Sequence, residues 1–219
     1  MPDPWLADEP VVDRLALDDA SWVDVVRGLV PDGDRVHDEL VDQVAWEQGR
    51  VFRYERWVDE PRMSGWQAPG AMHPALAEAQ AWITARYRTP FDGVALARYR
   101  HGADSVAWHR DREMRWLEDT VIGVLSLGAT RSFLVRPLTG RRADPDDELL
   151  DAVDLRPASG DLLVMGGRCQ AAWLHAVPKA RRPVRSRISA QWRWTSRRGR
   201  PDTNPGYRAP RRYGEGARR

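Results

Sequence analysis

The sequence predicts a mainly β fold with flanking α-helices, arranged around a double-stranded β-helix, also called a jelly roll. Two segments with helical periodicity occur before residue 90, and short runs rich in valine, leucine and aromatic residues follow them. Glycine, proline or charged residues separate these runs. Several short strands at this spacing are typical of a closed or two-sheet antiparallel structure, with the two helices packed on its outside.

Both helices are predicted from apolar periodicity and from the residues at their ends. The first spans residues 34–47, with Asp34 placed to cap it. The second begins at Pro74, because proline is favoured in the first turn of a helix, and it ends at Thr89 and Pro90. Both helices therefore precede the predicted strands.

The predicted strands share a richness in valine, leucine and aromatic residues, and they span residues 94–100, 121–127, 131–136, 153–155, 162–165, 173–177 and 186–194. The polar stretch 138–151 between two of them is predicted to be an inserted loop. The sequence contains no internal repeat and no cysteine pair of the zinc-binding type.

Composition limits the classes to which the protein can belong. A chain of 219 residues and 25.0 kDa suits one domain with a full core, and a hydrophobic fraction of 42% excludes wholesale disorder. The single cysteine, Cys169, cannot form an internal disulfide. No apolar run reaches the roughly 20 residues needed to cross a bilayer. We therefore expect a cytoplasmic monomer without a membrane partner.

A pair of closely spaced residues and one distant histidine predict a metal centre. His109 and Asp111 lie two positions apart, so at a strand end both can face one metal ion. His175 interrupts the apolar stretch 171–177, the setting expected for a buried ligand. Two imidazoles and one carboxylate leave three positions open on a ferrous ion, as in mononuclear iron oxygenases. The alternative is that each histidine is an ordinary core residue.

The segment 187–194 alternates strictly between polar and apolar residues, which predicts a strand with one polar face. Arg187 and Arg193 lie on that face, and burying two guanidinium groups is costly unless an anion meets them. A carboxylate is a suitable partner, and a 2-oxo acid with a second, distal carboxylate, such as 2-oxoglutarate, fits the description. Structural ion pairs with acidic residues are the alternative.

Five motifs together resemble the AlkB family of Fe(II)- and 2-oxoglutarate-dependent dioxygenases. They are the run 98–113, the Ser-Leu-Gly sequence at 126–128, the glycine-bounded segment 160–167, the His-Ala-Val sequence at 175–177 and the two arginines at 187 and 193. The resemblance extends from about residue 60 to residue 194. It divides the chain into an N-terminal helical extension (1–60), a 2-oxoglutarate/Fe(II) dioxygenase domain (61–194) and a basic, flexible tail (195–219).

The resemblance implies Fe(II) as the metal and 2-oxoglutarate as the cosubstrate. His109, Asp111 and His175 match the iron ligands of the family. Arg187 matches the arginine that pairs with the distal carboxylate of 2-oxoglutarate, and Tyr99 matches a tyrosine that hydrogen-bonds the cosubstrate. Together with Arg193, these residues form the implied catalytic and cofactor-binding set.

The resemblance also assigns the second arginine and two substrate contacts. Arg193 matches the second arginine of the cofactor-binding motif, Glu113 lies where the family often has an acidic residue near the substrate base, and Trp66 matches an aromatic residue of the nucleotide-recognition lid. Ala97 replaces the usual asparagine, so one hydrogen bond to 2-oxoglutarate is missing or supplied elsewhere. The segment 67–74 has no tyrosine to contact a nucleotide.

The function implied by the resemblance is oxidative demethylation of N-alkylated nucleobases in single-stranded DNA or RNA, with dioxygen, as in alkylation damage repair. A base must lie outside a stack to be reached. The first alternative is a dioxygenase that acts on a protein, a tRNA or a small molecule. The second is a non-catalytic nucleic-acid-binding protein that uses the basic tail, although such a tail can equally serve solubility.

Overall fold

The computed structural model describes residues 4–53, 55–111, 114, 116–138, 152–197 and 199. In this part of the chain the strands are β1 (Asp13–Ala16), β2 (Ser21–Val26), β3 (Glu47–Arg53), β4 (Arg56–Gln67), β5 (Val94–Tyr99), β6 (Val106–His109), β7 (Thr120–Gly128), β8 (Leu134–Pro137), β9 (Val153–Asp154), β10 (Leu162–Gly167), β11 (Trp173–Val177) and β12 (Arg187–Thr195). The helices are α1 (Gly33–Gln43), α2 (Pro74–Tyr87) and the short α3 (Cys169–Ala172).

These strands form two antiparallel sheets. The large sheet has the order β1-β2-β10-β7-β12-β5-β4-β3, and the small sheet has the order β6-β11-β8-β9. Apolar residues between the sheets include Ile122, Val124 and Phe133, while a second apolar cluster joins the outer face of the large sheet to α1 and α2. This arrangement confirms the mainly β, jelly-roll prediction with flanking helices.

Strand β12 shows how the sequence pattern produces the two layers. Ile188, Ala190 and Trp192 are fully buried in the cluster beneath the helices. The alternate residues Arg187 and Ser189 are also buried, but they face the space between the sheets. The strict polar and apolar alternation of this strand therefore predicts its two faces correctly.

The first 60 residues differ from the predicted helical extension. Three strands, β1, β2 and β3, and the first part of β4 lie here, together with α1, and all four strands join the large sheet. Strand β2 was not predicted because nearly all its residues are buried, so alternation is absent. The three-part division of the chain remains a prediction.

Helix α1 also differs from its predicted bounds. It begins at Gly33 after the N-cap Asp32, so Asp34 lies in the first turn and does not cap the helix. It ends at Gln43 because Val44 adopts an extended conformation. Its last predicted turn is replaced by the start of β3, whose residue Glu47 pairs with β4. Tertiary pairing overrides local helical propensity here.

Several predicted regions fall beyond what the structure describes. Most of the predicted loop 138–151 and nearly all of the predicted basic tail lie outside the described residues, so both remain predictions. Among the helices that the structure does describe, none is both long enough and apolar enough to cross a membrane.

Candidate active site

Three side chains that lie far apart in the sequence meet between the two sheets. The Nε2 atoms of His109 and His175 lie 3.5 Å and 3.8 Å from Oδ1 of Asp111. One candidate ligand atom from each residue lies within 4.8 Å of the other two. In the described part of the chain this is the one cluster of its kind. The sequence prediction that these three residues converge is confirmed.

The pairing of β6 with β11 brings the histidines together, since His109 and His175 are directly opposite in its register. Side chains opposite one another on an antiparallel pair share a face. His109 is the last residue of β6, whereas Asp111 lies beyond the strand end. The pair therefore lies at a strand end, as predicted, although Asp111 is two residues past the end of β6 and not part of the strand.

Both imidazoles are oriented by their surroundings. Nδ1 of His109 lies 2.9 Å from the carbonyl oxygen of Ala107, which favours a proton on Nδ1 and leaves Nε2 free to ligate. The ring of His175 stacks on Phe133 with centroids 5.7 Å apart. Burial and the neighbouring His109 lower the pKa of His175 to about 3. His175 is therefore neutral at physiological pH, which is the form that binds a metal.

Asp111 is held by one hydrogen bond to its backbone and one ion pair to its side chain. Its backbone N–H donates to Oε1 of Gln170 at 2.7 Å, and Nε of Arg193 donates to its Oδ2 at 2.7 Å. Burial alone would raise the pKa of Asp111, but the charge of Arg193 and the contacts with both histidines hold it well below its ordinary value. Asp111 is thus an anion. Gln170, which precedes β11 in α3, was not predicted because no sequence motif marks it.

A second site lies against Tyr99, where the guanidinium of Arg187 is fully buried. Nη2 of Arg187 donates to Oγ of Ser126 at 2.9 Å, while its Nε and Nη1 have no hydrogen-bond partner among the described residues. Burial lowers the pKa of Arg187 to about 10, so it remains charged at neutral pH. A buried cation with two unused donors is costly unless an anion joins it. The predicted binding site for a carboxylate therefore has the positive charge and the hydrogen-bond donors that a carboxylate requires.

A cavity of about 550 Å³ joins these features. Its floor, as we use the word, consists of Tyr99, His109, Asp111, His175 and Arg193, and its mouth consists of residues from β3 and β4, namely Glu47, Glu60, Arg62, Ser64 and Trp66. Arg187 is behind the wall, with its guanidinium carbon 5.8 Å from the ring centroid of Tyr99. A bound carboxylate therefore has to enter between Tyr99 and its neighbours to reach Arg187.

Hydroxyl groups flank the position where asparagine is usual in the resembling family. Ala97 pairs with Ser64 of β4 on one side and with Ser189 of β12 on the other, and all three residues line the cavity. Directly opposite residues share a face of the sheet. Ser64 and Ser189 can therefore supply hydrogen bonds next to Ala97, where the side chain itself cannot.

The two predicted substrate contacts differ in outcome. Trp66 lines the mouth of the cavity, and a Cβ added at Gly93 would lie 2.5 Å from Cζ2 of its ring, so the absence of a side chain at Gly93 leaves room for the indole. Glu113 lies outside the described residues. Of the eight predicted site residues, six line the cavity, and a seventh, Arg187, lies behind its wall.

A fold of this kind can hold Fe(II) and a 2-oxo acid together. The donor set of two imidazoles and one carboxylate is the one that non-haem iron prefers. The carboxylate is already ionised, one imidazole is neutral, and the unused donors of Arg187 lie behind the same cavity. The residues present therefore fit both groups.

Comparisons with known proteins agree with this chemistry. The family model described as 2OG-Fe(II) oxygenase superfamily matches residues 28–208. Alpha-ketoglutarate-dependent dioxygenase alkB homolog 3 of Homo sapiens is 28% identical over 177 residues, which cover 75% of this chain and 62% of that protein. DNA oxidative demethylase ALKBH2 of Bos taurus is 26% identical over 179 residues, which cover 74% of this chain and 64% of that protein. The chain thus spans less than two thirds of either relative.

Solved structures show the same fold. HygX from Streptomyces hygroscopicus, determined with nickel, 2-oxoglutarate and hygromycin B bound, aligns with a TM-score of 0.54 at 11% identity. The alignment covers 78% of this chain and 81% of HygX. At this identity the likeness concerns the fold alone.

Proposed function

The chain belongs to the 2OG-Fe(II) oxygenase superfamily as an AlkB-like dioxygenase that uses Fe(II) and 2-oxoglutarate, and on that premise we propose that it demethylates N-alkylated nucleobases. The substrate would be single-stranded DNA or RNA, from which a damaged base can reach the cavity without being extracted from a duplex. The name of one relative, DNA oxidative demethylase ALKBH2, supports a nucleic-acid substrate. The observation on which the proposal most depends is the cavity itself, which joins the His109, Asp111 and His175 cluster to an open mouth.

In this proposal each residue of the floor has one role, and so does Arg187 behind it. His109, Asp111 and His175 hold the iron, and Arg187 and Tyr99 hold the distal carboxylate of 2-oxoglutarate. Arg193 keeps Asp111 ionised and oriented through its ion pair. Bound Fe(II), with 2-oxoglutarate and dioxygen, supplies the oxidation of an N-methyl group to N-hydroxymethyl, while 2-oxoglutarate becomes succinate and carbon dioxide.

The remaining step needs little from the protein, because an N-hydroxymethyl group releases formaldehyde and leaves the N–H base. What the protein contributes is the placement of the methyl group and the exclusion of water from the floor. The apolar side chains of Val124, Phe133, Met165 and Val177 line the cavity and serve that exclusion. Trp66, at the mouth, is placed to contact the base.

The test is an assay of formaldehyde and succinate with purified protein, Fe(II), 2-oxoglutarate and dioxygen. Single-stranded oligonucleotides that contain 1-methyladenine or 3-methylcytosine are compared with unmethylated strands of the same sequence and with duplexes. We expect both products to form in equal amounts, and only with methylated strands. If no methylated oligonucleotide stimulates succinate formation, the substrate assignment is wrong although the enzyme class stands.

Asp111→Asn provides the inactive control, and His101→Ala provides a matched one. The His101 side chain is exposed and outside the cavity, so its loss should leave formaldehyde release unchanged. Equal products from Asp111→Asn and the unmodified protein would contradict the assignment of Asp111 as a metal ligand.

A further inference from the structure

A second buried arginine, Arg131, lies close to the cosubstrate site but has been given no role. It follows β7 in the loop before β8 and is 4% exposed. Its Nη1 donates to the carbonyl oxygen of His101 at 3.3 Å, and its Nη2 donates to those of Asp104 at 3.0 Å and Pro178 at 2.6 Å. All three partners are neutral, so these hydrogen bonds satisfy the donors of Arg131 without compensating its charge.

No carboxylate of the described residues forms an ion pair with Arg131. Asp104 accepts from Arg131 through its backbone carbonyl only. Its carboxylate is engaged by Arg100, whose Nε and Nη2 donate to the two carboxylate oxygens at 2.8 Å and 2.9 Å. Burial lowers the pKa of Arg131, because the interior disfavours the charged form. The charge of Asp104 offsets this effect only in part and without an ion pair, so Arg131 keeps a buried positive charge that a further anion nearby would stabilise.

Arg131 and Arg187 lie against the same aromatic ring. The guanidinium carbons are 5.9 Å and 5.8 Å from the ring centroid of Tyr99. The charge of Arg131 also opposes that of Arg187, since it adds to the effect of burial in lowering the pKa of Arg187. Two buried cations around one tyrosine are an arrangement that an anion at that tyrosine would stabilise.

We propose that Arg131 is a second cation of the 2-oxoglutarate site, which attracts the distal carboxylate across the Tyr99 ring without touching it. Arg187 donates hydrogen bonds to this carboxylate, and Arg131 adds a second positive charge beside the same Tyr99 ring. The proposal rests on the role proposed for Arg187, and it is independent of whether the substrate is a nucleobase. Arg131 is on this account a positioning residue and not a catalytic one.

The proposal is tested by binding rather than by turnover. Mn(II)-loaded protein is titrated by calorimetry with 2-oxoglutarate and, separately, with 2-oxopentanoate, which has the same length but no distal carboxylate. In Arg131→Gln we expect the affinity for 2-oxoglutarate to fall roughly tenfold, as for the loss of a unit charge at close range in the interior. The affinity for 2-oxopentanoate should change by less than about twofold, because that ligand has no charge for Arg131 to attract.

Equal losses of affinity for both ligands would overturn the proposal. They would show that Arg131 only stabilises the backbone, through its hydrogen bonds to three carbonyl oxygens. Unchanged affinity for both would overturn it as well. Arg131→Lys keeps the charge but cannot reproduce three hydrogen bonds, and we expect it to retain most of the preference for 2-oxoglutarate. Arg27→Gln, which removes a half-exposed arginine paired with Asp161, is the matched control and should change neither affinity.

Arg187→Gln tests the same idea without altering Arg131, in case the Arg131 variants do not fold. We expect this variant to keep a residual preference for 2-oxoglutarate over 2-oxopentanoate, supplied by Arg131. Complete loss of the preference would mean that Arg131 contributes none. A preference equal to that of the unmodified protein would instead contradict the role of Arg187, so the two failures are distinguishable.

Discussion

On the floor of the cavity Asp111 is 3% exposed and both its backbone and its side chain are hydrogen-bonded, whereas at the mouth Glu47 is exposed and Glu60 is partly so. The mouth belongs to the β3–β4 hairpin, and farther along it Phe52 and Trp57 are 61% and 60% exposed. The floor is therefore fixed by packing, while the mouth is shaped by solvated side chains. Changes at the floor should alter chemistry, and changes at the mouth should alter recognition.

The two regions also differ in charge. Arg187, Arg193 and Arg131 lie in or behind the floor. The mouth has two carboxylates, Glu47 and Glu60, against the one guanidinium of Arg62. An anionic cosubstrate suits the first region, and a base that is cationic when methylated suits the second. If the two functions are separate, a change in one region should leave the function of the other intact.

The largest effect is expected from Asp111→Asn. Loss of the carboxylate charge removes one of three metal ligands and leaves Arg193 without its ion-pair partner at Oδ2, so Fe(II)-dependent succinate formation should fall below detection. Mn(II) binding, measured by calorimetry, should be severely weakened in parallel. Asp24→Asn is the matched control, since Asp24 is equally buried and pairs with Arg14 far from the cavity. Undiminished turnover in Asp111→Asn would rule out the metal assignment.

Arg187→Lys should have the next largest effect. Lysine keeps the charge but loses the planar pair of donors, each of which contributes about 1.5–3 kcal/mol with a charged acceptor. We expect the KM for 2-oxoglutarate to rise about tenfold to a hundredfold, with a smaller change in kcat. Arg14→Lys breaks a comparable two-pronged ion pair, that with Asp24, and should leave this KM unchanged. An unchanged KM in Arg187→Lys would exclude the proposed carboxylate contact.

The floor was predictable from the sequence for identifiable reasons. The alternation in β12 fixes which face Arg187 occupies, and ligand chemistry limits what two histidines and an aspartate can do. Tertiary context determined the rest. Strand β2 is buried along nearly its whole length and so shows no alternation, and Asp111 reaches the metal cluster from beyond the end of β6. The contact between Gln170 and Asp111 depends on the packing of α3, which has no local sequence signal.

Gln170→Leu should affect the floor more mildly. It removes the acceptor of the Asp111 N–H, which should lower metal affinity by roughly tenfold. A buried unsatisfied N–H should also cost about 1–3 kcal/mol of stability, visible as a lower Tm. Gln80→Leu removes a comparable bond to Trp192 away from the cavity, so it should lower the Tm without changing Mn(II) affinity. Equal metal affinities in the two variants would show that Gln170 is merely structural.

Glu113→Gln tests the role predicted for an acidic residue beside the substrate base. Removing its charge should reduce kcat/KM several-fold for cationic 1-methyladenine, because the charge complementarity with the base is lost. For a neutral methylated base such as 1-methylguanine the change should be small. The KM for 2-oxoglutarate should not change. A uniform loss on both bases would instead indicate a general packing defect.

The smallest effect is expected from Glu60→Gln at the mouth. This carboxylate is partly exposed, and charge interactions of this kind contribute about 0.2–1 kcal/mol, so the KM for a methylated oligonucleotide should change by about fivefold at most. The effect should shrink as salt is raised, because salt screens exposed charges. The KM for 2-oxoglutarate and the affinity for Mn(II) should stay constant, since the floor is buried and keeps its own contacts. If Glu60→Gln shifts either quantity, the mouth and the floor are coupled, and recognition and chemistry are not separated in this cavity.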